Sequence, residues 1–401
     1  MTRRFVDPFS ADRPLTDPDR FAGRRAQVDA VVDALFQTAN GVGRHTIITG
    51  DRGIGKSSLL QQALQIAEGQ RDLTDRLGID LGPGSIPFDF AVGFHETNPD
   101  ETLAGLVDNL LMSFQSRGAK LLRGWKLTFN FKNLVTAERE LGGTGETLSA
   151  LVDATVEQLR KARENADGSG ILLFIDELDR INPTTRAATF FKLVSEELSR
   201  TNIQNVAFVA AGITGAIQKL EEEHASVFRV FRDIPLPRLT LADTQEILVT
   251  GFESVGAHTT ESVIEAVHEQ AAGFPEPVHL LGSSLLTVAQ DWSAITDSDY
   301  ARAVERVVVD VRRNWLDNRL RKAGGGKYQD ILKGMAGHNG KNVPLKVIEK
   351  AIGKNQNQFS ANMGVLIERG VIDRVDVGVY AFRDPLLREY IRKFGAWGVD
   401  E

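Results

Sequence analysis

The chain has 401 residues, 42% hydrophobic and 25% charged, with a formal net charge of −7; this is a globular composition with room for two or three domains, and it excludes a disordered or fibrous chain. There is no cysteine, which excludes disulfides, thiolate catalysis and cysteine-ligated metal. The first residues lack a signal-like apolar stretch, and the longest apolar runs, Ile171–Ile175 and Val206–Ala211, are far too short to cross a bilayer, so the expectation is a cytoplasmic protein with no membrane partner.

Residues 1–20, rich in Pro, Asp and Arg, read as an extended N-terminal arm. Val28, Val31, Val32, Leu35 and Phe36 recur at helical spacing and predict a helix over Arg25–Phe36. After a turn at Asn40–Gly43 come a short buried strand, His45–Thr49, and a glycine-rich loop that opens a helix from Lys56 to Ile66. Ile86–Phe94 reads as a second strand, followed by a helix over Pro99–Phe114. Trp125–Phe131 alternates apolar and polar residues as a half-exposed strand does, and a glycine turn at Gly142–Gly145 precedes a helix from Glu146 to Ala162. Ile171–Ile175 is a fully apolar strand; Asn182-Pro183-Thr184 ends one element and caps a helix running to Leu198. Val206–Ala211 is another apolar strand, then come a helix to Glu223 and a short strand at Ile234–Leu236. Apolar strands alternating with helices imply a parallel sheet covered on both faces.

From Thr240 the strands stop. Leu241–Phe252, Ser262–Ala272, Pro275–Ala289 and Asp297–Leu316 read as helices of a second domain, and Gly324-Gly325-Gly326 as a hinge. Beyond it the charge changes sign: Arg319 to Lys393 holds 15 Lys or Arg against 7 Asp or Glu. A basic end on an acidic body points to a polyanionic partner. Helices are expected at Tyr328–Gly334, Pro344–Ile352 and Gln356–Arg369, a hairpin at Val371–Val375 and Val379–Phe382, and a last helix opened by Asp384-Pro385. That order is the order of a winged helix. In a DNA-reading role Gln356, Asn357, Gln358, Ser360 and Asn362 suit base edges, and Lys354, Arg369 and Arg374 suit phosphates; in the alternative role the module contacts protein.

The strand His45–Thr49 runs into Gly50-Asp51-Arg52-Gly53-Ile54-Gly55-Lys56-Ser57, which fits G-x-x-x-x-G-K-[ST] with a strand before and a helix after. The glycines let the backbone curl so that its N–H groups face a phosphate, and the helix N-terminus adds positive potential. Gly50, Gly53, Ile54, Gly55, Lys56, Ser57 and Ser58 are the candidate ATP-binding set, with Lys56 on the β- and γ-phosphates and the Ser57 hydroxyl on Mg2+. Ile171–Ile175 ends in Asp176-Glu177; Asp176 is the candidate partner of the metal and Glu177 the candidate base for the attacking water. The alternative for this pair is a buried strand ending in two solvated acids. The chain order predicts an α/β P-loop NTPase of the additional-strand class.

With these motifs the chain resembles the AAA+ and STAND ATPases related to origin-recognition initiators, more closely the archaeal-ATPase-like bacterial ATP-binding proteins with a C-terminal winged helix. Phe21-Ala22-Gly23-Arg24-Arg25 is similar to the segment that packs near adenine in that family, with Gln27 where an acid is common. The resemblance implies a γ-phosphate sensor near Thr214 and an arginine finger at Arg229, which would reach a neighbouring subunit and so implies a homo-oligomer. Gly273-Phe274-Pro275 resembles the lid motif whose proline, here Pro275, packs near adenine. No arginine follows within Glu276–Gly282, which favours a slow switch over a motor. The expected domains are an arm at 1–20, an ATPase core at 21–238, a helical lid at 239–318 and a winged helix at 325–395. Three functions stay open: an ATP-dependent DNA-binding regulator, a STAND-type signalling switch that recruits a separate effector protein, and an enzyme acting on a small molecule.

Overall fold

The computed structural model describes residues 4–9, 13–82, 88–117, 145–182, 185–215, 230–310, 320–321 and 323–395. It divides into two compact units, Arg13–Pro237, and Met1–Asp12 with Arg238–Glu401.

In the first unit α1 (Arg25–Ala39) leads to β1 (Thr46–Thr49), α2 (Lys56–Ala67) and a short α3 (Asp72–Leu77); β2 (Phe90–Glu96), α4 (Leu103–Arg117), α5 (Gly145–Asn165), β3 (Gly170–Asp176), α6 (Ala187–Arg200), β4 (Val206–Gly212) and β5 (Arg232–Pro235) follow. The five strands form one sheet in the order β2-β3-β4-β1-β5, and every pairing is parallel. β4 stands between β1 and β3, so the strands that carry the glycine-rich loop and Asp176 are separated by one added strand. This is the additional-strand P-loop NTPase arrangement. Every residue of β1, β3 and β4 is buried, the pattern of parallel strands covered on both faces. Leu106, Leu110 and Phe114 of α4, Leu151 and Leu159 of α5, and Phe190, Phe191 and Val194 of α6 share one core with Leu173 and Phe208.

Several boundaries differ from the sequence reading for local reasons. β2 begins at Phe90, since the Asp89 N–H is taken by the Ser169 hydroxyl at 3.0 Å, and Ile86 and Pro87 of the expected strand lie outside the described residues. α4 begins at Leu103 rather than Pro99: Asn98 Oδ1 accepts the Asp100 N–H at 2.9 Å and turns the chain, and Thr102 Oγ1 accepts the Gly105 N–H at 3.1 Å. α3 is too short for periodicity to show. α6 starts after Arg186, in the left-handed region at φ 59, without a side-chain cap. Pro183, Thr184, Trp125–Phe131 and the helix placed before Glu223 lie outside the described residues.

The second unit holds α7 (Leu241–Glu253), α8 (Glu261–Ala271), α9 (Pro275–Val288), α10 (Asp297–Asp310), α11 (Lys327–Ala336), β6 (Val343–Pro344), α12 (Leu345–Ile352), α13 (Ser360–Glu368), β7 (Ile372–Asp376), β8 (Val379–Phe382) and α14 (Pro385–Phe394). β6, β8 and β7 form a small antiparallel sheet. The helix expected over Gln356–Arg369 is broken: Gln356–Gln358 is a 3-10 turn capped by Asn355, and α13 starts after the buried Phe359, whose φ of −142 with ψ of 5 lies outside the helical region. Asp384 caps α14 by accepting the Leu386 N–H at 2.9 Å. Leu386, Leu387, Tyr390 and Ile391 then turn inward.

Phe9, only 6% exposed, belongs to this unit. Its ring meets Phe252 edge-on at 5.4 Å and packs on His279 at 6.0 Å. Gly251 and Gly282 make the socket: a Cβ would stand 2.5 Å from the ring at the first and 2.7 Å at the second. The extended arm of the sequence reading therefore contributes core residues.

Candidate nucleotide site

The site is built where β1 and β3 end. Gly53 at φ 78 and Gly55 at φ 99 take backbone angles that side chains resist, and they turn the chain from β1 into the N-terminus of α2. Gly50 has no room for a Cβ, which would lie 2.7 Å from Ile54 Cγ2 and 3.2 Å from the Leu236 carbonyl. Ile54 is 1% exposed and anchors the loop in the core. The Lys56 ammonium donates to the carbonyls of Gly50, at 3.0 Å, and Asp51, at 2.9 Å. Burial pushes the Lys56 pKa down, and Asp179, Asp176, Asp51 and Glu177 oppose that by favouring the cation.

Asp176, the last residue of β3, is buried. Burial raises its pKa; the hydrogen bond from the Ser57 side chain and the Glu177 N–H, at 2.8 Å, oppose the rise, while Glu96 adds to it. A hydroxyl and a carboxylate held together at the foot of a phosphate-type loop are hard oxygen donors, a donor set that suits Mg2+ carried on phosphates. Ser58 differs from Ser57: its hydroxyl accepts the Leu15 N–H at 3.0 Å, so the arm uses this side chain.

Glu177 follows β3 in the left-handed region, φ 54 and ψ 40. Its carbonyl accepts from Thr97 Oγ1 at 2.5 Å, and the Thr97 N–H donates to the Asp176 carbonyl, so the end of β2 fixes the turn after β3. Burial raises the Glu177 pKa, Arg180 opposes it, and Glu96 and Asp176 raise it further. Glu96 stands beside Asp176 in the strand register.

The structure thus brings Gly50, Gly53, Ile54, Gly55, Lys56, Ser57, Asp176 and Glu177 to one end of the sheet. Thr214 lies in the exposed turn past β4; it is Ile213, one residue earlier, whose N–H donates to Asp179 at 2.9 Å. Pro275, in the second unit, is the half-buried first residue of α9. Arg229 lies outside the described residues.

Three residues were not singled out by the sequence reading. Arg24, inside the recognised Phe21–Arg25 segment, sends its buried guanidinium to the Ile54 carbonyl at 3.1 Å and to the Pro237 carbonyl. Arg180 and Glu96 surround Glu177. The spacing of Arg180, three residues after Glu177, was a visible signal; Glu96 is placed only by the pairing of β2 with β3.

Residues 20–209 match the family model of the AAA ATPase domain. Comparison with curated proteins finds no match. Among solved structures, the chain is similar to a Walker-type ATPase of Pyrococcus abyssi, with 17% identity, TM-score 0.58, and 95% of this chain and 99% of that one covered. It is also similar to the ORC2 protein of Aeropyrum pernix, solved in ADPNP and ADP complexes, with 14% identity, TM-score 0.56, and 96% of each chain covered. At such identities the likeness speaks for a shared fold along nearly the whole chain. Residues 20–209 therefore carry an AAA ATPase domain, and the chain has the fold of those two archaeal proteins.

Proposed function

We propose that the protein is a slow ATP-driven switch in which the nucleotide state of the first unit controls binding of DNA by the C-terminal segment. The observation that carries the nucleotide part is the convergence of Lys56, Ser57 and Asp176 between β1 and β3. The backbone N–H groups of Gly53 to Ser58 and the Lys56 ammonium hold the phosphates. Ser57 and Asp176 hold Mg2+, which when bound neutralises phosphate charge. Glu177, once its carboxylate leaves Arg180, orients the attacking water and accepts its proton. Arg229 would act on a neighbouring subunit's nucleotide in a homo-oligomer, and Pro275 would pack near the base.

In this reading residues 21–238 are the ATPase core, 239–318 the lid and 325–395 a winged helix with α13 as reading helix and β7–β8 as wing. Gln356, Asn357, Gln358 and Ser360 are exposed, as are Lys346 and Lys350, four residues apart on α12, and Arg374. These suit base edges and phosphates. Other cations of the basic segment are used internally. Arg369 donates to the Ala323 carbonyl at 3.0 Å and lies over the Tyr328 ring, so it leaves the phosphate-contacting set. Arg388 donates to the His338 carbonyl, and Arg392 donates to the Ala336 carbonyl at 2.7 Å and the His338 carbonyl at 2.6 Å, closing the C-terminal end of α11.

One observation favours the alternative of a STAND-type switch that recruits a separate effector protein: the β7–β8 tip exposes Val375 by 53% and Val377 by 83% around Asp376, an apolar and acidic tip that suits a protein surface. DNA binding by Glu177→Gln protein, with and without ATP–Mg2+ across a salt series, tests the two. ATP-sensitive binding that falls steeply with salt supports the DNA reading; no binding in either state rejects it in favour of the protein partner.

A further inference from the structure

We infer that Arg24 and Arg238 form a relay that carries the state of the phosphate loop to the β7–β8 hairpin; the inference deepens the proposed switch and rests on the nucleotide reading of Gly50–Ser57.

The first half lies wholly within the first unit. Arg24 caps α1 from the left-handed region, at φ 64, with its side chain buried. Nη2 donates to the Ile54 carbonyl, at 3.1 Å, inside the phosphate loop, and Nη1 donates to the Pro237 carbonyl. A guanidinium is a rigid planar fork, so its two acceptors cannot shift independently without losing a bond. The loop touches the same segment a second time: the Leu236 N–H donates to the Thr49 carbonyl at 2.7 Å, and the Leu236 carbonyl closes on Gly50. Any rearrangement of Gly50–Ile54 around phosphates is therefore felt at Leu236 and Pro237.

The second half lies wholly within the second unit, and the two halves meet at the peptide bond between Pro237 and Arg238. The Arg238 guanidinium lies over the Phe274 ring at 4.8 Å. The next residue, Leu239, donates its N–H to the Gly273 carbonyl at 2.7 Å. Gly273 is at φ 76, and a Cβ there would stand 2.8 Å from the Leu239 carbonyl, so the contact requires glycine. Arg238 also pairs with Asp373 of β7 at 3.4 Å. The same carboxylate accepts from Arg383, just after β8, through Nε at 3.0 Å and Nη2 at 2.8 Å. Asp373 thus joins Arg238, where the chain re-enters the second unit, to both arms of the hairpin. The Gly-Phe-Pro segment, expected to serve adenine through its proline, holds the relay through its glycine and phenylalanine.

The test is hydrogen exchange on Glu177→Gln protein with and without ATP–Mg2+, comparing unsubstituted Arg238 with Arg238→Gln and Asp373→Asn. The Arg238 side chain is 42% exposed, so Arg238→Gln should leave the fold intact; Arg24→Lys, which keeps the charge but loses the fork, samples the first half. The expected result is ATP-dependent protection of residues 50–58 in every relay variant, with the accompanying change at 372–382 lost in Arg238→Gln and Asp373→Asn. A hairpin response retained in both variants overturns the relay. Protection of 50–58 with a silent hairpin when Arg238 and Asp373 are intact overturns the relay alone and leaves the nucleotide reading standing. Absence of protection at 50–58 overturns the nucleotide reading and the relay with it.

Discussion

Arg180 holds the carboxylate of Glu177 at 2.5 Å and lies 3.7 Å from that of Glu96. Two carboxylates share one guanidinium beside the attacking-water position that the proposed chemistry needs. Arg180 favours the ionised form of Glu177, whereas burial and Glu96 disfavour it. Without Arg180 the Glu177 pKa rises, and the form able to accept a proton is reached only at higher pH. Arg180→Ala should therefore shift the acid limb of the kcat/KM profile, which reports the free protein, upward, and Glu96→Gln should shift it downward. A pH–rate series on the two variants and the double variant checks both signs; an unmoved acid limb in Arg180→Ala would remove this arginine from the control of Glu177.

Lys56 should be needed for nucleotide and dispensable for folding. Its ammonium is satisfied by two loop carbonyls, yet burial still lowers its pKa, so the folded protein bears a desolvation cost for this cation. Lys56→Met removes a charge-assisted contact to phosphate of about 1.5–3 kcal/mol, roughly a 10- to 100-fold loss of affinity. Calorimetric titration of ATP–Mg2+ checks the affinity, and thermal unfolding without nucleotide should show no loss of stability. A variant that fails to fold would contradict this.

How much of this was legible beforehand follows the range of each interaction. The glycine-rich loop, β1, β3, β4 and the helix at Arg25 are set by local pattern, and they appear within a few residues of where the sequence reading puts them. The added strand was inferred from chain order, since Asp176 follows an apolar strand well downstream of Lys56. What stayed hidden depends on pairing distant segments. Phe9 looked like part of a loose arm because nothing near it in sequence is apolar enough to bury it; its socket is made by Gly251 and Gly282, more than 240 residues away in sequence. Arg24 was recognised inside a motif, but its acceptors on Ile54 and Pro237 could not be read from spacing. Charge counting overstated the free cations, because Arg369, Arg388 and Arg392 serve carbonyls of their own unit.

Phe9 should contribute to the stability of the helical unit as a core residue does. Truncating a buried phenylalanine to alanine costs about 3–5 kcal/mol. Phe9→Ala should destabilise the second unit by that order in denaturant unfolding, while ATP binding by the first unit persists. Gly282→Ala offers the converse test, since its methyl group enters the space of the Phe9 ring. If the ring is ejected, Phe9→Ala in the Gly282→Ala background should cost far less than it does alone. Equal costs in both backgrounds would show that the ring does not occupy this socket.

His45 gives the first unit an acid-sensitive core. The side chain is buried beside Phe208 and Phe231, with ring centroids at 5.4 and 6.0 Å, and Nδ1 accepts the Phe208 N–H at 3.0 Å. An imidazole that accepts through Nδ1 must carry its one proton on Nε2, and protonating Nδ1 would destroy the bond. Burial pushes its pKa from 6.5 to about 4. The unfolded chain therefore takes up a proton below about pH 6.5 that the folded chain refuses until about pH 4, so this group's stabilisation is complete above the first value and lost as pH falls to the second. The full effect is on the order of 3 kcal/mol, since a tenfold change in proton affinity corresponds to about 1.4 kcal/mol. Urea unfolding at intervals from pH 7.5 to pH 4.5 should show stability falling with acidification. His45→Leu leaves the Phe208 N–H without its acceptor, so it should be less stable at pH 7.5 yet flatter in its pH dependence. If His45→Leu kept the slope of the unsubstituted protein, the acid sensitivity would belong to other groups.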